Sequence, residues 1–229
     1  MSRARCLQNP VPWGYLDLDC RRERGCLNSL CVCTRVPISK EPGLIPALYE
    51  RLSGPTWHQL SETVRKAHPG TGTLRARGVF RVQHGQIFLA RLLALLLRLP
   101  SPADATDVQL HVTASERGER WERTFGNRRL VTLQSASPDN LLAERFGPIE
   151  IRFRLHPHAE VLTYLQQGVA LRFGRLRLPL PTWLAPRVHA VERAVDATAR
   201  THVAVSISLA PLGLLMRYEG EFEVEEESE

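Results

Sequence analysis

Gln86 to Pro100 reads QIFLARLLALLLRLP, apolar at nearly every position in a chain otherwise made of short, arginine-studded alternating stretches. A helical wheel puts Arg91 and Arg98 on one narrow stripe. Phe88, Leu89, Leu92, Leu93, Leu95, Leu96, Leu97 and Leu99 cover nearly all of the remaining circumference. A bilayer span needs about 20 apolar residues, and this segment is shorter, carries arginines and stops at proline, so no transmembrane span is expected. The expectation is a helix enclosed by protein, the inner element of a sheet-wrapped core.

The flanks say what encloses it. Before the segment, Leu74, Ala76, Gly78, Phe80 and Val82 alternate with Arg75, Arg77, Val79 and Arg81, which predicts a strand with one apolar and one largely basic face. Further upstream, Leu44, Ile45, Leu48 and Leu52 share a helical face, and a second helical stretch runs from near Thr56 to before Pro69, making an N-terminal helical pair. After residue 106 the alternation recurs. Strands are expected at Val108 to Ser115, around Trp121 and Phe125, at Arg129 to Gln134, Leu141 to Phe146, Ile149 to His156, Val161 to Leu165 and Val169 to Leu178, then around Val203 to Leu209 and Leu214 to Val224. Pro179, Pro181 and Pro186 frame Trp183 and Leu184, and prolines at that density predict an extended excursion outside the ladder. The expected class is α+β: a curved antiparallel sheet of about nine strands, half-barrel or barrel, packed around the apolar helix.

Composition is globular, with 43% apolar and 24% charged residues in 229, enough for one domain with its own core. The formal charge of +6 is uneven: residues 1 to 40 hold seven basic and three acidic side chains, a net of +4. No basic-aromatic recognition motif accompanies that charge, so no nucleic-acid partner is expected. All five cysteines, Cys6, Cys20, Cys26, Cys31 and Cys33, precede residue 34, and their odd number and spacing do not match a structural zinc site, so no metal is expected. Trp13 to Asp19 is too broken by polar residues for a signal-peptide apolar region, and the expected location is cytoplasmic. These contrasts divide the chain into a disordered or mis-started leader (1–43), a single α+β domain (44–225) and an acidic tail (226–229).

Several strings occur together in order: LYERL at 48–52, RARGVFRVQHG at 75–85, ERWERTFG at 119–126, ERFGPIEIRFRL at 144–155, LPLPTWLAPR at 178–187 and SLAPLGLLMRYEGEFE at 208–223. Over roughly residues 44 to 225 the chain resembles the bacterial domain-of-unknown-function family 4166. Members of that family look like free-standing proteins or C-terminal extensions of saccharopine-dehydrogenase-like reductases, so the resemblance implies partnership with an oxidoreductase and supplies no activity. The chain has no Gly-rich dinucleotide fingerprint after a strand, so no cofactor is expected in it.

Candidate residues follow from the strand faces. Arg75, Arg77 and Arg81 share one face, and Arg152 and Arg154 another; inside a curved sheet such faces would receive a carboxylate or phosphate, and outside one they would pair with Glu119, Glu122 and Glu150. Trp121, Trp183, Tyr218 and Phe222 are candidates for the border of a pocket. His202 lies near Ser206 and Ser208 without a nucleophile elbow, and His156 and His158 read as decoration of a polar turn. Glu192 and Asp196 fall in a stretch of mixed charge that reads as an exposed edge strand or loop. The ligand-binding set is therefore Arg75, Arg77, Trp121, Trp183, His202 and Tyr218, with no catalytic residue assigned. The leading expectation is a non-catalytic domain that binds a lipid-like or apolar small molecule in a sheet-enclosed cavity. The alternative is an accessory module for a reductase, and a third is a cyclase or isomerase using Tyr218 or His202 as acid-base.

Overall fold

A computed structural model of the chain describes residues 46–195 and 198–225. The leader and the acidic tail lie outside the described residues, as do Leu44, Ile45 and Asp196.

Period-two alternation produces an antiparallel meander that closes on itself. The strands are β1 (Gly72–His84), β2 (Ala103–Ser115), β3 (Gly118–Phe125), β4 (Arg128–Ala136), β5 (Leu142–Phe146), β6 (Ile149–His158), β7 (Val161–Phe173), β8 (Leu176–Pro179), β9 (Pro186–Ala194), β10 (Arg200–Leu209) and β11 (Gly213–Val224). Their order is β6-β5-β4-β3-β2-β1-β11-β10-β9-β7-β8, and β6 also pairs with β7. Ten strands thus close a barrel, and β8 is an extra strand paired only with β7. Closure satisfies the backbone groups that an open sheet would leave at its edges.

The curved antiparallel sheet is as expected, but the class is mostly β rather than α+β, and eleven strands replace the expected nine. Two segments were misread. Val161 to Leu165 and the first half of Val169 to Leu178 form one strand, β7, and Gly174, at φ 60°, turns the remainder back as β8, so two expected strands become two with other bounds. The stretch after Val188, read as an edge or loop, is β9, a closing strand paired with both β10 and β7. β7 shares one edge between β9, through Val161 to Tyr164, and β8, through Ala170 to Phe173. At the fork the Gln166 side chain stands in for a ladder rung: its Nε2 donates to Pro186 O (2.9 Å) and its Oε1 accepts from Val188 N (2.7 Å).

The apolar helix is the larger correction. Helix α3 (Phe88–Leu96) follows β1 and buries only Ala90 and Ala94, one turn apart on a single face. Phe88, Leu95 and Leu96 are 74%, 62% and 70% exposed. The barrel interior is already filled by large strand side chains such as Phe80, Trp121, Phe125, Phe153 and Tyr218, which leaves no room for a helix. The chain therefore lays α3 across one end of the barrel on its small residues. Its approach is close: a Cβ on Gly85 would lie 1.9 Å from Leu214 O, so only glycine fits there. Gly78 and Gly220 permit a similar approach between β1 and β11, facing Phe222 and Phe80 respectively.

The N-terminal elements close the opposite end. Helix α1 (Leu48–Ser53), a 3-10 turn (Gly54–Gln59) and α2 (Glu62–Lys66) replace the expected helical pair, and Ser61 Oγ caps α2 by accepting from Val64 N at 3.3 Å. Tyr49, Trp57, Leu60, Val64 and Ala67 are buried against β4, β6, β9 and β10. The core therefore runs from this plug through the barrel to α3.

Candidate ligand-binding site

Inward parity along a barrel strand selects apolar side chains, so each polar residue on that parity must find a partner. β3 points Glu119, Trp121, Arg123 and Phe125 inward, β4 points Leu130, Thr132 and Gln134, and β9 points Val188, Ala190 and Glu192. These polar groups divide the interior into two regions.

Next to the plug lies a hydrogen-bonded cluster. Glu192 Oε2 is 2.9 Å from His68 Nε2, and Tyr164 OH donates to Glu192 Oε1 at 2.7 Å. The Tyr49 hydroxyl lies 3.2 Å from that of Tyr164 and donates to Gln134 Oε1 at 2.9 Å. The His68 ring stacks on Tyr49 with centroids 3.8 Å apart, and Trp121 Nε1 donates to Glu119 Oε2 at 2.8 Å. Burial pushes the Glu192 carboxyl up, but the His68 charge, the hydrogen bonds from His68 and Tyr164, and the Arg123 charge outweigh it and hold the group below its ordinary value. Burial and the Glu192 charge raise the Tyr49 and Tyr164 phenols well above theirs. Burial likewise raises Glu119 despite the opposing His68 charge. The cluster ties residues from the plug (Tyr49, His68) to four barrel strands, and within it His68 Nδ1 and Glu119 Oε1 are buried without a hydrogen-bond partner. A small cavity of about 70 Å³ adjoins it.

A partition of Arg123, Glu144, Phe153, Val188, Val205 and Tyr218 separates this region from a second cavity. Arg123 is held over Trp121 (4.9 Å to the ring centroid), donates to Thr132 Oγ1 at 3.1 Å and lies 3.9 Å from Glu144 Oε1, so its charge is balanced. Tyr218 is buried and lines both cavities, and burial pushes its phenol up to about 12. No described residue hydrogen-bonds its hydroxyl.

The second cavity, about 290 Å³, reaches to the α3 end. Its walls are apolar: Leu130, Phe146, Ile151, Leu171, Ile207 and Met216 from the strands, with Leu93 and Leu97 of α3 and Leu180 and Leu184 of the β8–β9 loop at the end. The half-buried Leu93 and Leu97 explain why α3 is apolar beyond its alanine face.

Of the six residues read as a ligand set, the barrel brings Trp121 and Tyr218 together inside. Arg75 and Arg77 project outward from β1, where Arg77 pairs with Glu225. His202 sits on the outer parity of β10, 3.3 Å from Glu219, and Trp183 is 64% exposed in the β8–β9 loop. The sequence reading missed Glu192, which is buried at the centre of the cluster, and His68, Tyr164, Arg123 and Gln134 around it. The signal was present: Glu192 continues the parity of Val188 and Ala190, where an apolar residue belongs. Glu119 and Glu150, read as outer partners for arginines, are both buried, and Glu150 does pair with arginines, Arg172 at 2.6 Å and Arg177 at 2.8 Å. Among the described residues no group of three or more His, Cys, Asp or Glu side chains is placed to hold a metal ion. No helix among them is long and apolar enough to cross a membrane.

A closed antiparallel barrel with an apolar chamber and an internal polar partition is the class that fold and site define. Comparison with known families gives its membership: residues 60–222 match the model of the domain of unknown function DUF4166, and the chain belongs to that family. None of the curated proteins and none of the solved structures compared with it matches the chain.

Proposed function

We propose that the barrel binds, without chemical conversion, an amphipathic small molecule whose apolar body fills the larger cavity and whose single polar head meets Tyr218. The observation that carries this reading is the pairing of about 290 Å³ of apolar space with one unpartnered hydroxyl at its floor. That volume is about twice the ~150 Å³ engineered void that stays dry and takes up benzene. An apolar void of this size costs packing energy unless something fills it. The head is neutral in this reading, a carbonyl, hydroxyl or aromatic amine, because Glu144 already balances Arg123 beside Tyr218. The non-catalytic part of the reading rests on the polar cluster, in which Glu192, Tyr164, Tyr49 and Gln134 bond to one another or to His68, and which lies beyond Phe153 from the larger cavity.

Native mass spectrometry of the gently purified chain, followed by organic extraction, tests the proposal. The expected result is a stoichiometric adduct lost on extraction, identified as a neutral amphipathic molecule. Protein of bare mass, together with no uptake of neutral apolar compounds, refutes it.

A further inference from the structure

The two ends of the barrel differ in a way the ligand reading does not require. At the α3 end the connections are residues 85–102, 126–127, 147–148, 174–185 and 210–212, and none of them contains aspartate or glutamate. Arg91, Arg98, Arg175 and Arg187 are exposed there. The connections at the plugged end carry Glu116, Asp139 and Glu160. The same α3 end gathers the exposed apolar surface: among the described residues, every exposed large apolar side chain except Val79, Leu133 and Leu165 belongs to α3 and its approach or to the segment Phe173–Leu184. Soluble monomers rarely show so large a contiguous apolar surface without a partner for it.

We propose that the α3 end docks on the surface of an anionic lipid bilayer. Helix α3 lies across the barrel end with Phe88, Leu89, Leu92, Leu95 and Leu96 facing away from it, which is the arrangement of an interfacial helix rather than a spanning one. Trp183 on the neighbouring loop has the amphipathic ring that favours the headgroup level. The arginines supply the charge complementarity. Each basic side chain near such a surface strengthens adsorption to acidic headgroups; the connections add no carboxylate to repel them, and the exposed Asp104 at the start of β2 is paired with Arg81 at 3.1 Å. A protein partner would need apolar surface but has no call on connections that carry arginines and no acidic residue, so the charge distribution favours the bilayer. The docked face is also the cavity's end, which places the chamber of the proposed ligand against the membrane.

Flotation of the full chain with vesicles of phosphatidylcholine alone, and of phosphatidylcholine mixed with phosphatidylglycerol, tests this. The expected result is binding to the mixed vesicles that falls with added salt. Leu95→Glu with Leu96→Glu weakens it by about tenfold or more, and Arg175→Ala weakens it about fivefold, with unchanged melting temperatures. Failure to float with the mixed vesicles, or equal flotation of the native and doubly substituted chains, overturns the proposal. So does a dimer in light scattering that the double substitution disperses, which assigns the face to a second copy. Ile207→Trp, inside the cavity, leaves vesicle binding intact, so loss of the ligand reading and loss of the docking reading are separable.

Discussion

Replacing Tyr164 with phenylalanine removes one of two donors to the buried Glu192 carboxylate and leaves the ring in place. The hydroxyl donates at 2.7 Å, and a hydrogen bond to a charged group is worth about 1.5–3 kcal/mol, so a loss of about 2 kcal/mol is expected at pH 7. Protonation limits the loss. Its partners hold Glu192 below its ordinary value, and a variant whose carboxylate loses too much of that support takes up a proton instead of staying charged and unpaired. The direction with pH follows. A carboxyl depressed by folding contributes stability above its unfolded value, and this is lost as pH falls through its folded value. With a donor gone and burial unchanged, the Glu192 pKa in the variant rises. The difference between native and variant is therefore full at neutral pH and shrinks as pH drops to 4.5 and below. Urea unfolding of both chains between pH 7 and pH 4 measures it, and at pH 7 the melting temperature should fall by about 4–8 °C. His68→Ala, which also removes a ring stacked on Tyr49, should cost more, about 3–5 kcal/mol. A loss for Tyr164→Phe below about 0.5 kcal/mol at pH 7, or one that grows on acidification, would refute the reasoning.

Other sites give separate tests. Glu119→Gln keeps an oxygen for Trp121 Nε1 while removing a charge whose ionisation burial disfavours; its chemical denaturation midpoint should stay level or rise at pH 7, the opposite of Tyr164→Phe and His68→Ala. Gly220→Ala puts a Cβ 2.3 Å from Val79 O and 2.7 Å from the Phe80 Cα, so it should destabilise the barrel by about 2–4 kcal/mol in urea unfolding, whereas Gly147→Ala, in open space at φ 56°, should cost only about 1 kcal/mol. The Glu150 carboxyl, raised by burial but pulled below its ordinary value by Arg172 and Arg177, contributes stability present above 4.5 and lost below it. Glu150→Gln should therefore flatten the acid limb of the stability profile, read by melting temperature between pH 6 and pH 3.

Much of the barrel was legible because its strands obey a simple parity: Leu74, Ala76, Phe80 and Val82 point inward as their spacing predicts. Closure was not, because β9 carries its polar residue inward, and an inward glutamate is indistinguishable from an exposed one until His68 and Tyr164 are brought to it from 124 and 28 residues away. The β7–β8 hairpin hid for a different reason. Leu176 and Leu178 are 56% and 46% exposed, so their alternation continued that of β7 without sharing its core. The helix at Gln86 to Pro100 shows the limit of hydropathy alone. Its leucines signalled an apolar environment, but the small residues Ala90 and Ala94 decided which face the barrel took, and a wheel crowded with leucine conceals them. Tyr218 and Trp121 were legible as cavity residues because aromatic side chains on strand parity face inward. Arg75 and Arg77 share a strand with that core but stand on its other face.

The central claim, that the larger cavity takes one neutral amphipathic molecule, is tested most directly by fluorescence titration with 1-aminoanthracene, an apolar ring system bearing a single amine. The native chain should show one saturable site. Ile207→Trp, which fills the cavity from its wall, should weaken binding by about tenfold or more, and Leu133→Trp, on the outer face, should leave it unchanged. No saturable binding, or equal binding by the Ile207→Trp and native chains, would contradict the account.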